Sequence, residues 1–322
     1  MNALPTAAEP CREPCSESLW ITLDNGLDRL HLKRFYPPND MQSSNRTHGH
    51  GTPVFLLHGS VSSGRVFYSN SMKGLAPFLA RQGFDVYVAD LSGRGQSTPR
   101  VTRQSNRTQQ QIITEEIPAF LDKIRQLRGQ DTSIHAVAHS WGGVLLTAYL
   151  ARFPDARLAS MSFLGSKRHV SVFNRERMIG LDLMWATIGG LYTRLYGYLP
   201  AKRLRLGSDD EPAAVYRDCK HWVYHKRQWR DAQDGFDYLA ALQQAKHLPA
   251  TLHLAGQNDT FLGHPTDVRK LMRDMDNPAD QFVLLGKAHG FQHDYDHLSM
   301  CTSADAVVDH FRLIQDWIQC HA

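Results

Sequence analysis

The hydrophobic positions change their period along this chain, and the changes mark out its elements. Over residues 20–36 apolar and polar residues alternate around Asp24-Asn25-Gly26, which predicts a β-hairpin. A short unbroken apolar run then occurs at 54–57, and strand-like segments follow at 85–90, 133–138 and 158–164. Runs of that length without alternation suit strands buried on both faces. Between them, residues 72–81, 109–128 and 141–152 have helical spacing. Regular alternation of strand and helix predicts an α/β chain: a mostly parallel sheet with helices on both faces.

The rhythm stops from about Lys167 to about His247. That stretch holds no strand-like run and is rich in aromatics, among them Trp185, Tyr192, Trp222 and Trp229. It resumes with a strand at 251–255, a helix at 265–275, a strand at 281–285 and an amphipathic helix at 304–318. The expected organisation has a disordered N-terminal segment at 1–17, rich in Pro, Glu, Ser and Ala. A first part of the core follows at 18–166, an inserted helical cap at 167–247, and a second part of the core at 248–322. Residues 37–52 read as a polar loop.

Bulk properties narrow the classes. A length of 322 residues suits one α/β core carrying an insertion. The net charge of +4 is too small to point to a nucleic-acid partner. Five cysteines, Cys11, Cys15, Cys219, Cys301 and Cys320, have neither C-x-x-C nor metal spacing. They read as free thiols in a reducing compartment, so a cytoplasmic location is expected. The first 18 residues lack the apolar core of a secretory signal. The most apolar stretch, 178–200, contains Asp182, Arg194 and several glycines, so no transmembrane segment is expected.

The chemistry concentrates at 134–143, Ile-His-Ala-Val-Ala-His-Ser-Trp-Gly-Gly. Here Ser140 ends a strand and a helix follows at once. Such a turn needs small residues two places either side, because the helix packs close to the strand, and Ala138 and Gly142 meet that need. The turn lifts the Ser140 hydroxyl clear of the sheet and aims the Trp141 N–H at a developing oxyanion. The segment resembles the nucleophile elbow of the α/β-hydrolase superfamily, G-x-S-x-G, with alanine for the first glycine. A second segment, Leu56-Leu57-His58-Gly59-Ser60, looks like the H-G-x oxyanion loop of that superfamily. An exposed His-Gly turn there is expected to bring the Ser60 N–H toward the nucleophile, making Ser60 and Trp141 the oxyanion donors. Residues 90–97, Asp-Leu-Ser-Gly-Arg-Gly-Gln-Ser, look like the superfamily's D-x-x-G-x-G-x-S loop, whose role is structural.

A serine nucleophile needs a base, and the base needs an orienting acid. In this superfamily the chain order is Ser, acid, His. After the insertion, residues 256–259, Gly-Gln-Asn-Asp, look like the G-x-x-D acid loop and nominate Asp259. The other position used for the acid, after the fourth alternating strand, reads Gly165-Ser166-Lys167-Arg168 and offers no carboxylate. Three histidines compete for the base: His289, His293 and His297. The His-Leu-x-Met pattern at 297–300 resembles the base segment of acid-lipase-like members, which nominates His297 and leaves His289 as the alternative. The three histidines are spaced by four, with Asp294 and Asp296 nearby, and on one helix would form a metal face. Gly290 weakens such a helix, and no metal or cofactor is expected.

The resemblance covers roughly residues 50–320 and implies an α/β-hydrolase-type enzyme that cleaves a carboxylic ester, as a carboxylesterase or lipase-like enzyme does. An aromatic roof implies a small-molecule substrate with an apolar acyl or aromatic group. Thioester hydrolysis, C–C bond hydrolysis, peptide cleavage and acyl transfer use the same triad. A non-catalytic ligand-binding protein of the same fold is the alternative from another class. Nothing in the sequence sets the oligomeric state.

Overall fold

A computed structural model describes residues 13–38, 51–225, 228–245 and 247–322. The hairpin forms from β1 (Cys15–Thr22) and β2 (Arg29–Tyr36), which pair antiparallel. Then come β3 (Pro53–Leu57), α1 (Leu75–Arg81), β4 (Asp85–Asp90) and α2 (Ile117–Arg128). Two helical turns, Gln109–Gln111 and Ile112–Glu116, lead into α2. Next are β5 (Ile134–His139), α3 (Trp141–Arg152) and β6 (Leu158–Leu164).

Within the insertion, β7 (Tyr198–Leu199) and β8 (Glu211–Pro212) form a small antiparallel pair. Helices α4 (Ala213–Tyr224) and α5 (Tyr238–Gln244) follow. The core then closes with β9 (Ala250–Gly256), α6 (Pro265–Met275), β10 (Gln281–Leu285) and α7 (His310–Cys320).

The main sheet runs β1-β2-β4-β3-β5-β6-β9-β10. Pairing is antiparallel as far as β4 and parallel from β4 to β10. Every residue of β3, β4 and β5 is buried. Their residues are mostly apolar because helices cover both faces, and the buried polar side chains among them, Asp85, Asp90, His135 and His139, are hydrogen-bonded. One apolar cluster gathers α2 and α3 on one face, and another gathers α1 and α7 on the other.

Several expectations need correction. Residues 15–17, expected at the end of a disordered segment, belong to β1, where Cys15 pairs with Tyr36 and Glu17 bonds Arg34. Residues 1–12 of that expectation, and residues 39–50 of the loop expected at 37–52, lie outside the described residues. The helix expected at 72–81 begins only at Leu75, because Met72 and Gly74 take positive φ values of 55° and 110°. The helix expected at 304–318 is broken at Asp309, whose carboxylate accepts the Gln292 amide and the Tyr295 hydroxyl. The segment read as lacking strands holds β7 and β8. Its last helix, α5, packs beside α3 and α6 in the layer that covers the sheet.

Candidate active site

Ser140 sits between the last residue of β5 and the first of α3, with φ 54° and ψ −123°. A non-glycine residue at positive φ is strained, and the surrounding packing must hold it there. The Ser140 N–H donates to the Leu164 carbonyl at 2.8 Å, which pins the turn to the end of β6. A Cβ on Gly142 would lie 2.5 Å from the Leu57 carbonyl oxygen, so only glycine lets α3 start this close to β3. The small residue expected at that place is therefore required by contact with the neighbouring strand.

Asp259 and His297 converge on Ser140. Asp259 follows β9, and its N–H closes a turn onto the Gly256 carbonyl at 3.1 Å. His297 lies beyond β10, ahead of the short helical turn Ser299–Thr302. The Asp296 carboxylate accepts the N–H groups of Leu298 and Ser299 at 2.9 and 2.7 Å and fixes that turn. The Asn258 N–H donates to the Tyr295 carbonyl at 2.9 Å, stitching the Asp259 loop to the His297 loop. As a result His297 Nε2 stands 2.9 Å from Ser140 Oγ, and Nδ1 stands 2.6 Å from Asp259 Oδ2. Both partners are buried, while Ser140 keeps partial exposure. Burial pushes the Asp259 carboxyl up. His297, the Gly263 N–H and the Lys167 ammonium more than offset that and hold it below the ordinary carboxylate value.

The other two histidines stay away from Ser140. His289 is exposed at the end of the turn Lys287–His289. His293 pairs with Asp305 at 2.5 Å. The three therefore share no helix face, and among the described residues no three metal-binding side chains converge. The four described cysteines, Cys15, Cys219, Cys301 and Cys320, are free.

The His58-Gly59-Ser60 turn lies against the elbow. A Cβ on Gly59 would fall 2.9 Å from Ser140 Cβ and 3.1 Å from the Trp141 nitrogen. Neither the Ser60 N–H nor the Trp141 N–H has an acceptor among the described residues. His58, expected to be exposed, is fully buried. Its Nδ1 bonds the Gly59 carbonyl at 2.8 Å and its Nε2 accepts the Leu91 N–H at 3.1 Å, so it braces the turn from below. Burial pushes its pKa down to about 4, and the ring serves as a neutral strut. In the 90–97 loop, Asp90 accepts the N–H groups of Gly64 and Gln96 at 2.8 and 2.9 Å. It is a structural brace, in keeping with the role expected of that loop.

Sequence reasoning passed over three residues. His139 Nε2 bonds the His297 carbonyl at 2.9 Å and its ring packs 4.7 Å from the His297 ring. Burial and His297 lower its pKa to about 3, so it holds the His297 loop as a neutral donor. Glu211 of β8 accepts the Ser60 hydroxyl at 2.6 Å and the buried Arg94 guanidinium at 3.0 Å. Lys167 is buried beside Trp141, its Nζ 5.8 Å from the ring centre. The only sequence signal for His139 was its place next to Ser140. Glu211 and Lys167 gave none, since their partners are distant in the chain.

A family model described as the alpha/beta hydrolase fold matches residues 52–210. The chain has the alpha/beta hydrolase fold. That match contains Ser140 and ends before Asp259 and His297. A thermophilic esterase from Thermogutta terrifontis is similar at 18% identity and TM-score 0.57, covering 95% of this chain and 100% of its own. A Rhodococcus esterase is similar at 13% identity and TM-score 0.58, with 95% and 99% covered. A haloalkane dehalogenase from Agrobacterium tumefaciens scores as high, at 14% identity and TM-score 0.59, with 95% and 97% covered. At such identities the likeness speaks for the fold, and the chemistry has to be argued from the site. A search of curated proteins gave no match.

Proposed function

We propose that this protein is a serine hydrolase that cleaves a carboxylic ester through an acyl-enzyme intermediate. The observation that carries the proposal is the hydrogen-bonded relay from Ser140 Oγ through His297 to Asp259, at 2.9 and 2.6 Å. The esterases among the structural neighbours are consistent with it.

In this reading Ser140 Oγ attacks the ester carbonyl while His297 Nε2 takes its proton. Asp259 holds the Nδ1–H tautomer and stabilises the imidazolium that forms. The carbonyl oxygen, now negative, lies against the N–H groups of Ser60 and Trp141. Such a donor is worth about 3 kcal/mol in the transition state. The tetrahedral intermediate expels the alkoxide, which leaves with the proton from His297. Water then enters, His297 takes one of its protons, and the same steps in reverse order release the acid and free Ser140. No step draws on a metal or cofactor. The aromatic insertion suits an apolar acyl or aromatic group, and the free cysteines suit a cytoplasmic setting.

Two measurements test this. A fluorophosphonate probe should label Ser140 covalently, as located by mass spectrometry; a binding protein that kept only the fold should stay unlabelled. A series of p-nitrophenyl esters of graded chain length should then show turnover. Labelling without turnover of any ester would shift the reading to one of the other reactions that share the triad.

A further inference from the structure

The Lys167 side chain lies where the core, the elbow and the insertion meet. It follows β6 directly, and its Nζ stands over the Trp141 ring at 5.8 Å. Trp141 is the residue whose N–H faces the oxyanion position. The Cys219 thiol of α4 lies within interaction range of both Lys167 and the Ser60 hydroxyl. Lys167 therefore lies beside Trp141 and near Cys219, and Cys219 in turn reaches Ser60.

Only 7% of Lys167 is exposed, and among the described residues its ammonium makes no hydrogen bond or ion pair. Its two nearby carboxylates are engaged elsewhere. Asp259 is bound to His297, while Asp267 holds the Ser171 N–H and the Lys270 ammonium. Cys219 brings no balancing charge, because burial pushes its thiol well above its usual pKa. A buried ammonium whose neighbouring carboxylates are already hydrogen-bonded to other groups is only partly compensated, and an anion in direct contact with it would recover part of the cost of burial. Burial alone lowers the Lys167 pKa, with Cys219, Asp259 and Asp267 acting in the opposite direction.

We propose that Lys167 is a specificity residue that binds a carboxylate carried by the substrate, so that this enzyme prefers an ester that also bears one negative charge. A single cation balances a monoanion better than a phosphate dianion, which needs more than one positive charge. The proposal rests on the ester-hydrolase reading for the reaction and on Lys167 alone for the preference. The carboxylate is not consumed: it enters and leaves with the substrate, and the bond cleaved is the ester bond.

The test compares monomethyl adipate with methyl hexanoate, which match in chain length and differ by one carboxylate. Wild type should favour the half-ester in kcat/KM. Lys167→Gln should cut the ratio between the two on the order of a hundredfold, and Lys167→Arg should keep most of it. Should Lys167→Gln fail to fold, Lys167→Met gives the same comparison. A wild-type ratio favouring methyl hexanoate, or a ratio that Lys167→Gln leaves unchanged, would overturn the proposal. A binding measurement separates this from the reaction itself: Ser140→Ala protein is titrated calorimetrically with hexanoate and with hexanamide. Tighter hexanoate binding that Lys167→Gln removes supports the subsite even if neither ester is cleaved, in which case the ester reading alone fails. Equal binding of the two ligands sinks the subsite whatever the enzyme cleaves.

Discussion

Beneath Ser140 lie strands β3, β5, β6 and β9, whose ends are joined by backbone hydrogen bonds and covered by helices on both faces. Above it lies the inserted segment, attached mainly by side chains, with a backbone bond from the Asp209 N–H to the Val61 carbonyl at 3.1 Å. Glu211 reaches Ser60 and Arg94, Asn174 bonds the Thr260 carbonyl at 2.8 Å, and Trp222 stands 6.1 Å from Trp141. The insertion thus touches the His58–Ser60 turn, the Ser140 turn and the loop after β9. Its own exterior is less finished: Phe173, Leu191 and Leu195 are largely exposed. The contrast assigns roles. In the proposed reading, groups that must hold fixed distances come from the ends of paired strands, and groups that choose the ligand come from the insertion. Substitutions on the core side should therefore abolish chemistry, and those on the insertion side should tune it.

The sharpest break is Ser140→Ala. It removes one partly exposed oxygen, so the fold should survive. Turnover should fall on the order of a millionfold, as for triad serines elsewhere. Retention of a tenth of the wild-type rate by purified protein would remove Ser140 from the mechanism and end the comparison.

Next in size is the pair His297→Ala and His289→Ala. The first breaks the bond to Ser140 Oγ and should cost a thousandfold or more in kcat. The second alters an exposed side chain and should change kcat little. Circular dichroism checks that both fold, and the reverse ranking would move the base to the strand end.

These predictions depend on residues of unequal legibility. The strands 85–90 and 158–164 and the helices 141–152 and 265–275 were legible to the residue, because buried strands and amphipathic helices carry their own periods. Ser140 and Asp259 were legible because tight turns restrict residue type locally. His297 needed a family resemblance to stand out from His289, since the deciding contact spans from residue 297 to residue 140. Glu211 and Lys167 were illegible. Glu211 gains its meaning from Ser60, 151 positions away, and no local pattern encodes such a pairing. The helix starts at Leu75 and His310 are not legible, because a positive φ at Met72 and Gly74 and the tertiary contacts of the Asp309 carboxylate precede them, and neither alters hydrophobic spacing.

Glu211→Gln sharpens the boundary between the two regions. It keeps an acceptor for Ser60 but leaves the Arg94 guanidinium buried without its counter-charge. Removal of one member of a buried pair costs about 3 kcal/mol, so the midpoint of thermal unfolding should drop. A loosened Ser60 loop should lower kcat about tenfold with KM nearly unchanged. A KM effect alone would show that Glu211 shapes the pocket rather than the oxyanion loop.

The smallest effect concerns Asp218 on α4. Its carboxylate accepts the Gln109 N–H at 3.3 Å, and the Gln109 side chain in turn accepts the Trp141 indole N–H at 2.6 Å. Asp218 is thus one tie between insertion and elbow, and it is a poor one when charged. Burial raises its pKa from 3.8 to about 6, Asp231 adds to the rise, and the Gln109 N–H and Arg217 only partly offset it. The folded state therefore binds this proton more tightly than the unfolded chain does. Its stabilising contribution is complete below about 3.8 and is lost as pH rises through about 6. Asparagine keeps the acceptor and has no charge to bury. Asp218→Asn should therefore exceed wild type in stability at pH about 8, by about 1 kcal/mol after allowance for partial exposure. The gain should shrink as pH falls through about 6 and vanish near pH about 4. Thermal unfolding across that range measures it. A variant less stable than wild type at every pH would mean that the Gln109 N–H needs a charged acceptor. The insertion would then be held on the elbow by an ionic tie, and the division between a fixed core and an adjustable insertion would not apply at this contact.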